Sequence, residues 1–408
     1  MKSKYTILLF LFMMNYSCNV HRENYGQGSY GYDKAFLLTY HNDLVEIRDS
    51  SGNARLLICP AYQGRVMTST LAGDSGFSFG WINHKLIESG ILQKHMNAYG
   101  GEERLWLGPE GGQFSFYFDG GKEFVFDNWQ VPAVIDTEPF SIMRKEDKKI
   151  VFEKSASLKN YSGNSFGIHI IRAIEIIERE KAGQLLQITL PLSLKVVAYQ
   201  SNNVLLNKGK TAWTRETGMP SLWMLCMFVP TPGTTVIIPY QDDSQGKVPF
   251  INDSYFGKVP DDRLVKYKDN IFFKADGKQR GKIGLPYHYA KDLLGSYDET
   301  SGSLTLLQFE KPPAERPYVN SLWQFQKEPF AGDMINSYND GPVEDGTQMG
   351  PFYELESSSP AAELKPGESI EHTQRIFHFQ GSEHDLDLMC RKLFGVTIEE
   401  IKAVFCSE

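Results

Sequence analysis

The chain has 408 residues, 41% of them hydrophobic and 13% aromatic, which is enough for a large core and excludes a disordered chain. Lys and Arg number 42 against 50 Asp and Glu, for a formal charge of −8. No basic run of the kind that tracks phosphates is present, so no nucleic-acid partner is expected.

The first 17 residues, "MKSKYTILLFLFMMNYS", place Lys2 and Lys4 ahead of an apolar run from Ile7 to Met14 and read as a signal peptide, too short for a membrane span. Cys18 directly follows Ser17 at the end of that run, and the arrangement is similar to the lipobox of bacterial lipoproteins. It implies lipidation of Cys18, contact with a membrane through that anchor, and residence in the cell envelope of a Gram-negative bacterium. Asn15 and Tyr16 depart from the commonest lipobox, so ordinary secretion is the alternative. Cleavage removes two lysines and no acids and leaves a mature charge of −10. The Gly-, Tyr- and Asn-rich residues 18–34 suit a tether, and residues 35–408 are expected to form one domain, there being no repeat of fixed period and no low-complexity block.

Past the tether, short period-2 segments alternate with turns: "QFSFYF" (113–118), "SFGIHIIRAIEIIERE" (165–180), "LLQITLPLSLKVVAY" (185–199), "SLTLLQF" (303–309) and "SIEHTQRIFHF" (369–379). Many strands and few helical stretches predict an all-β protein, and the length favours a large antiparallel two-sheet sandwich. Helices are expected only at the C-terminus. There Ser382 and Gly395 bracket "EHDLDLMCRKLF", and Thr397 with Glu400 forms a capping-box pair. The two helices should pack on one sheet face.

Cys59 and Cys226 sit in apolar runs and read as buried thiols; a Cys390–Cys406 disulfide is compatible with export, but spacing does not fix connectivity. No C-x-x-C or Cys/His cluster has zinc spacing, and no metal or other cofactor is expected. Oxygen donors for Ca²⁺ abound in an acidic, loop-rich chain and single out no site.

The densest polar cluster is "YGGEERLWLGPEGGQFSFYF" (99–118), in which Glu102, Glu103, Arg104, Trp106 and Glu110 fall within nine residues. A tryptophan ring can stack on the C–H face of a sugar while charged groups take bidentate hydrogen bonds from hydroxyls, so this is the residue set of a carbohydrate site; the other reading is a solvated loop. A second cluster, residues 331–372, sets Asp333, Asn336, Tyr338, Asn339 and Asp340 before "FYELES", whose Glu354 and Glu356 share one strand face. Two carboxyls on one face repel unless solvated, paired with cations or partly protonated in a cleft, where one could act as a general base. Further strand ends offer Arg65 after Gly64, then Trp213, Arg215, Glu216 and Trp223, and finally Lys282, Tyr287, His288 and Asp292.

Three segments carry a resemblance: "LLICPAYQGRVMTSTLAG", "GGEERLWLGPEGGQ" and "FYELESSSPAAELKPGESIEHTQRIFHF". Together they are similar to the galactose mutarotase-like, or aldose 1-epimerase-like, superfamily, in particular a secreted bacterial lipoprotein branch. The resemblance implies a β-supersandwich with a sugar-facing cleft. In aldose 1-epimerases a late-strand glutamate takes the anomeric hydroxyl proton while a mid-chain histidine protonates the ring oxygen, each with a pKa near the working pH. By the resemblance Glu354 is the base, with Glu356 the alternative, and Arg65 binds substrate. The family's His-Pro, aromatic, Asn motif is absent, "NKGKTAWTRETG" standing in its place, so the acid would have to be His288 or His95; His169 lies in an alternating strand and is expected to face packed sheet.

A cleft lined by Arg65, Glu102, Arg104, Trp106, Glu110, Trp213, Glu216, Lys282, His288 and Glu354 is therefore expected, in a carbohydrate-active or carbohydrate-binding envelope protein. An epimerase, lyase or hydrolase would bring a convergent acid and base together; a non-catalytic glycan binder would have an aromatic platform without them; a structural protein would have no enclosed polar cleft.

Overall fold

The computed structural model describes residues 25–242 and 250–405. The expected signal peptide, Cys18, the first part of the expected tether and Cys406 lie outside the described residues. Ser29 caps helix α1 (Tyr30–Tyr40), accepting from the Tyr32 amide. Because Tyr30 is fully buried, residues 30–34, assigned from sequence to the tether, belong to the folded body. A small antiparallel sheet follows, β1 (Val45–Arg48), β2 (Arg55–Cys59) and β3 (Arg65–Thr70), then helix α2 (His84–Ser89) and strand β4 (Arg104–Gly108).

Four strands then run β5 (Ser141–Lys145), β6 (Lys149–Lys159), β7 (Ser165–Ile177) and β8 (Lys195–Asn207), with helix α3 (Arg179–Leu186) before the last. The chain continues through β9 (Ser221–Phe228), β10 (Thr234–Pro239), β11 (Leu264–Tyr267), β12 (Asn270–Lys274) and β13 (Gly281–Leu285). It ends with β14 (Leu293–Asp298), β15 (Ser303–Phe309), β16 (Ile335–Asn339), β17 (Tyr353–Ser358), β18 (Ser369–Gln380), α4 (Glu383–Phe394) and α5 (Ile398–Ala403).

Two large antiparallel sheets result, in the orders β11-β12-β10-β14-β15-β18-β8-β7-β6-β5 and β13-β16-β17-β9-β4. The strict alternation of β7 directs Phe166, Ile168, Ile170, Ile174 and Ile176 to one face, where they meet Phe152, Tyr199, Leu205 and Ile376 of neighbouring strands. Each such side chain contributes about 1.5–3 kcal/mol when fully buried. The other face of the ten-stranded sheet carries Ile237, Leu306, Phe377 and Phe379, covered by Leu386, Met389, Cys390 and Phe394 of α4 and Ile398 of α5. Both C-terminal helices follow the expectation: the Ser382 hydroxyl caps α4, Gly395 closes it at φ 71°, and Thr397 with Glu400 forms the capping box of α5. The fold is the large antiparallel supersandwich that the resemblance implies, with the expected short C-terminal helices; α1, α2 and α3 are helices beyond that expectation.

Two expected strands differ. Residues 113–118 are not a strand; the strand is β4, inside the polar cluster itself. Past Pro109 and Gly111-Gly112 the phenylalanines enter separate ring contacts, Phe114 stacking on Phe330 at 5.7 Å and Phe116 meeting the edge of Phe166 at 5.2 Å. Burial here does not alternate: Ser115, Phe116, Tyr117 and Phe118 are all buried, and Phe114 only partly. In residues 185–199 the first two close α3 and the strand begins at Lys195. The guanidinium of Arg179 donates to the carbonyl oxygens of Leu194 (2.6 Å) and Leu190 (3.4 Å), so backbone that would otherwise need a sheet partner finds one in a side chain.

Candidate functional site

The five-stranded sheet divides its residues by parity. Leu105 and Leu107 of β4, Met224 and Cys226 of β9, Leu355 of β17, Ile335 of β16 and Ile283 of β13 face the sandwich core. The opposite face carries Arg104 and Trp106, Trp223, Glu354 and Glu356, Asn336 and Tyr338, and Lys282. Register aligns Lys282, Tyr338 and Glu354 side by side, and sets Asn336 against Glu356 and Trp106 against Trp223. At Gly284, opposite Asn336, an added Cβ would lie 2.1 Å from Asp333 Oδ2, so only glycine leaves room for that carboxyl.

This face is the floor of a cleft of about 980 Å³. On the β4 side its wall is aromatic: Trp129 lies 6.5 Å from Trp106 and stacks on Trp323 at 5.7 Å. His95 also lines the cleft, and its Nδ1 lies 2.6 Å from the Trp129 carbonyl oxygen. A carbonyl only accepts, so Nδ1 carries the proton and Nε2 of the neutral ring is left as an acceptor. On the β13 side the wall is Tyr255, Phe256 and Arg280.

The charges of the floor are arranged in pairs. Arg104 donates to Glu354 at 3.0 Å and lies over the Trp106 ring at 4.3 Å. Lys282 donates to Glu356 Oε2 at 2.9 Å, and Trp223 Nε1 donates to the same oxygen at 2.8 Å. Glu356 is fully buried and so fixes Lys282 and Trp223 in place. Glu354 behaves differently: burial raises its pKa to about 7, with Glu356 adding to the rise and Arg104 and Lys282 opposing it. Burial likewise raises Glu110 to about 7 against the pull of Lys282. Asp333 rises to about 6 through burial, opposed by hydrogen bonds from Tyr255 and Asn252. Three carboxyl groups of one cleft can thus change protonation near neutrality, as general acid–base chemistry requires.

Of the expected site residues, the structure brings Arg104, Trp106, Glu110, Lys282 and Glu354 together, and His95 with them. Five lie elsewhere. Arg65 is fully buried, its guanidinium donating to Gly100 O at 2.7 Å and Gln63 Oε1 at 3.1 Å, and burial lowers its pKa to about 10. It braces the glycine turn, where a Cβ on Gly101 would come within 2.4 Å of Arg65 Cδ. Glu102 points into the core, accepting from Ser69 at 2.8 Å beside His378 at 2.9 Å. Trp213 packs in the core 5.6 Å from Phe166. Glu216 is exposed and bound to the Thr214 hydroxyl, which lowers its pKa. The His288 side chain is 56% exposed and pairs with Glu315 on the surface, so it is not the acid of this cleft. His169 sits on the outward side of β7, bonded to Ser155.

Sequence reasoning missed Trp129, Trp323, Tyr255 and Arg280 as cleft residues, since each comes from a connecting segment with no motif around it. Among the described residues, one trio has metal-ligand geometry, His41, Asp43 and Cys59, with ligand atoms within 4.8 Å of one another; it lies among residues packed at the small sheet, and burial raises the Cys59 thiol to about 12.

An all-β supersandwich with an aromatic, carboxyl-rich cleft on its smaller sheet is thus the class that fold and site define. The chain belongs to a protein family of unknown function, DUF6786, whose model matches residues 28–405. No curated protein sequence matches it. Among solved structures it is similar to the Slr1438 protein of Synechocystis sp. PCC 6803, with 13% identity over 83% of this chain and 96% of that one, at a TM-score of 0.50. A putative aldose 1-epimerase from Escherichia coli K12 has 12% identity over 82% of this chain and 98% of its own, at a TM-score of 0.47. A galactose mutarotase-like protein from Lactobacillus casei ATCC 334 has 10% identity over 82% and 99%, at 0.46. At these identities the likeness is one of fold.

Proposed function

We propose that this protein is a carbohydrate-active enzyme of the cell envelope, exported and anchored by lipid at Cys18, in which Glu354 exchanges a proton with a saccharide bound in the cleft. The observation that carries the reading is the pairing, on one sheet face, of a tryptophan-lined surface with carboxyl groups that titrate near neutrality. The tryptophan rings lining the cleft offer apolar surface to sugar C–H groups. Glu354, held on one oxygen by Arg104, acts as the base. Glu110 supplies the opposing acid, so no histidine at the absent family motif is needed. This chemistry fits epimerisation, elimination or hydrolysis at a sugar centre.

The aromatic surface alone also fits a non-catalytic glycan binder. A thermal-shift screen over monosaccharides and oligosaccharides, followed by turnover assays on the hits with wild type and Glu354→Gln, separates the readings. Stabilisation of both proteins with turnover only by wild type is the expected result. Stabilisation without turnover by either leaves the binder, and no stabilisation across a broad panel contradicts a carbohydrate ligand.

A further inference from the structure

The two halves of the cleft floor differ in chemistry, and the difference bears on which saccharide it takes. The central strand of the five is β17, which carries Glu354 and Glu356. Toward β9 and β4 the surface is Trp223 and Trp106, continued by Trp129, to the rim residue Phe126, 59% exposed and 5.9 Å from Trp129. Toward β16 and β13 it is Tyr338, Lys282 and Arg280, so a ligand filling both halves must cross the carboxyl groups.

Arg280, in the wall beside β13, stands apart from the cations of the floor. Arg104 and Lys282 each contact a carboxylate, whereas the Arg280 guanidinium lies 3.8 Å from the centroid of Phe256, and among the described residues no carboxylate oxygen is within ion-pair distance of it. Its buried Nε has no hydrogen-bond partner there either. The adjoining acid, Asp340, follows the residue paired with Gly281 but takes its hydrogen bonds from Tyr338 Oη (2.8 Å) and the Gly350 amide (3.0 Å). A guanidinium stacked on a ring and left without an anion is pre-organised to receive one, because its planar fork binds a carboxylate or sulfate through two parallel hydrogen bonds. The cleft volume of about 980 Å³ lies at the upper end of the range for small-molecule pockets and leaves room for more than one ring.

We propose that the cleft takes an anionic oligosaccharide of at least two rings. One ring lies on the tryptophans of β4 and β9, and its neighbour across β17 presents a carboxylate or sulfate group to Arg280. This rests on the carbohydrate reading and narrows it to a charged, chain-like substrate.

The test is calorimetric binding of wild type, Arg280→Met and Arg280→Lys to tetrasaccharides of three kinds: oligogalacturonate, sulfated carrageenan oligosaccharide and neutral manno-oligosaccharide, with free galacturonic acid as a one-ring control. Unchanged melting temperatures establish that the variants fold. Wild type is expected to bind one acidic tetrasaccharide at least about tenfold more tightly than the neutral one and than the single ring. Arg280→Met should erase that preference and Arg280→Lys should keep part of it, and the arm that binds tells carboxylate from sulfate. Neutral binding as tight as acidic binding, equal affinity for the single ring, or a preference that survives in Arg280→Met overturns the proposal while leaving the carbohydrate reading intact. Binding of none of the probes overturns this proposal, while the carbohydrate reading falls only if the broad thermal-shift panel is also negative.

Discussion

Two groups of buried glutamates, one in the sandwich core and one in the cleft, differ in one respect that decides their roles. In the sandwich core Glu102 and Glu103 are both 0% exposed. Both oxygens of Glu103 are taken, by Arg172 at 2.6 Å and Gln374 at 3.2 Å, and Arg172 is itself tied to Asn203 at 2.7 Å. In the cleft Glu354 meets Arg104 at 3.0 Å but borders an open volume of about 980 Å³, and Glu110 borders the same space. A carboxylate with donors on both oxygens, as Glu103 has, is a cross-link between sheets. The same group with one side open to a cavity, and with its pKa raised by burial, is placed to trade protons with a ligand.

The sharpest way to break this contrast is to remove one acid from each group. Glu103→Ala leaves Arg172 as an unpaired charge in the core and should destabilise the protein by about 3–5 kcal/mol in denaturant titration, with saccharide affinity of the folded fraction unchanged. Glu354→Gln should do the reverse, lowering turnover by about 10²–10⁴-fold with a far smaller change in denaturation midpoint. If Glu354→Gln unfolds the chain while Glu103→Ala does not, the division between cross-link and reacting group is wrong.

The pH dependence of stability sharpens the contrast further. Burial raises Glu110 and Glu354 from 4.5 to about 7, so the folded chain holds protons that the unfolded chain has released. These two groups therefore favour the fold in acid and cost stability progressively as pH rises from about 4.5 to about 7, by up to about 1.4 kcal/mol per group per pH unit. Glu110→Gln should flatten that slope when denaturation midpoints are measured at pH 5 and pH 7.5. The smallest effect is expected outside both groups. His288→Ala, on an exposed side chain, should change stability by less than about 0.5 kcal/mol, and both it and Glu216→Gln should leave turnover at the wild-type rate.

Much of the fold was legible because period and capping are local signals. The alternation of β7 and β18 and the capping residues of α4 and α5 each determine structure within a dozen residues of sequence. The cleft was half legible. Strand parity places Glu354 and Glu356 on one face, and the two-residue spacing of Arg104 and Trp106 does the same on β4. Parity does not tell which face is core. Glu102 and Glu103 precede β4 and both reach the ten-stranded sheet, at His378 and Gln374, while Glu110 beyond β4 lines the cleft, so the acids of one cluster part company. Arg280 and the tryptophans of the wall depend on contacts between distant segments, Phe256 with Arg280 and Trp129 with Trp323, that no spacing reveals. Arg65 misled because a buried arginine that braces a turn and one that binds a sugar look alike in sequence.

The most direct test is a crystal structure of Glu354→Gln bound to a saccharide that stabilises it. A sugar ring against Trp106 or Trp223, with an oxygen within hydrogen-bond distance of residue 354, is the predicted result. A saccharide bound anywhere outside this cleft would contradict the assignment of the cleft as the reacting site.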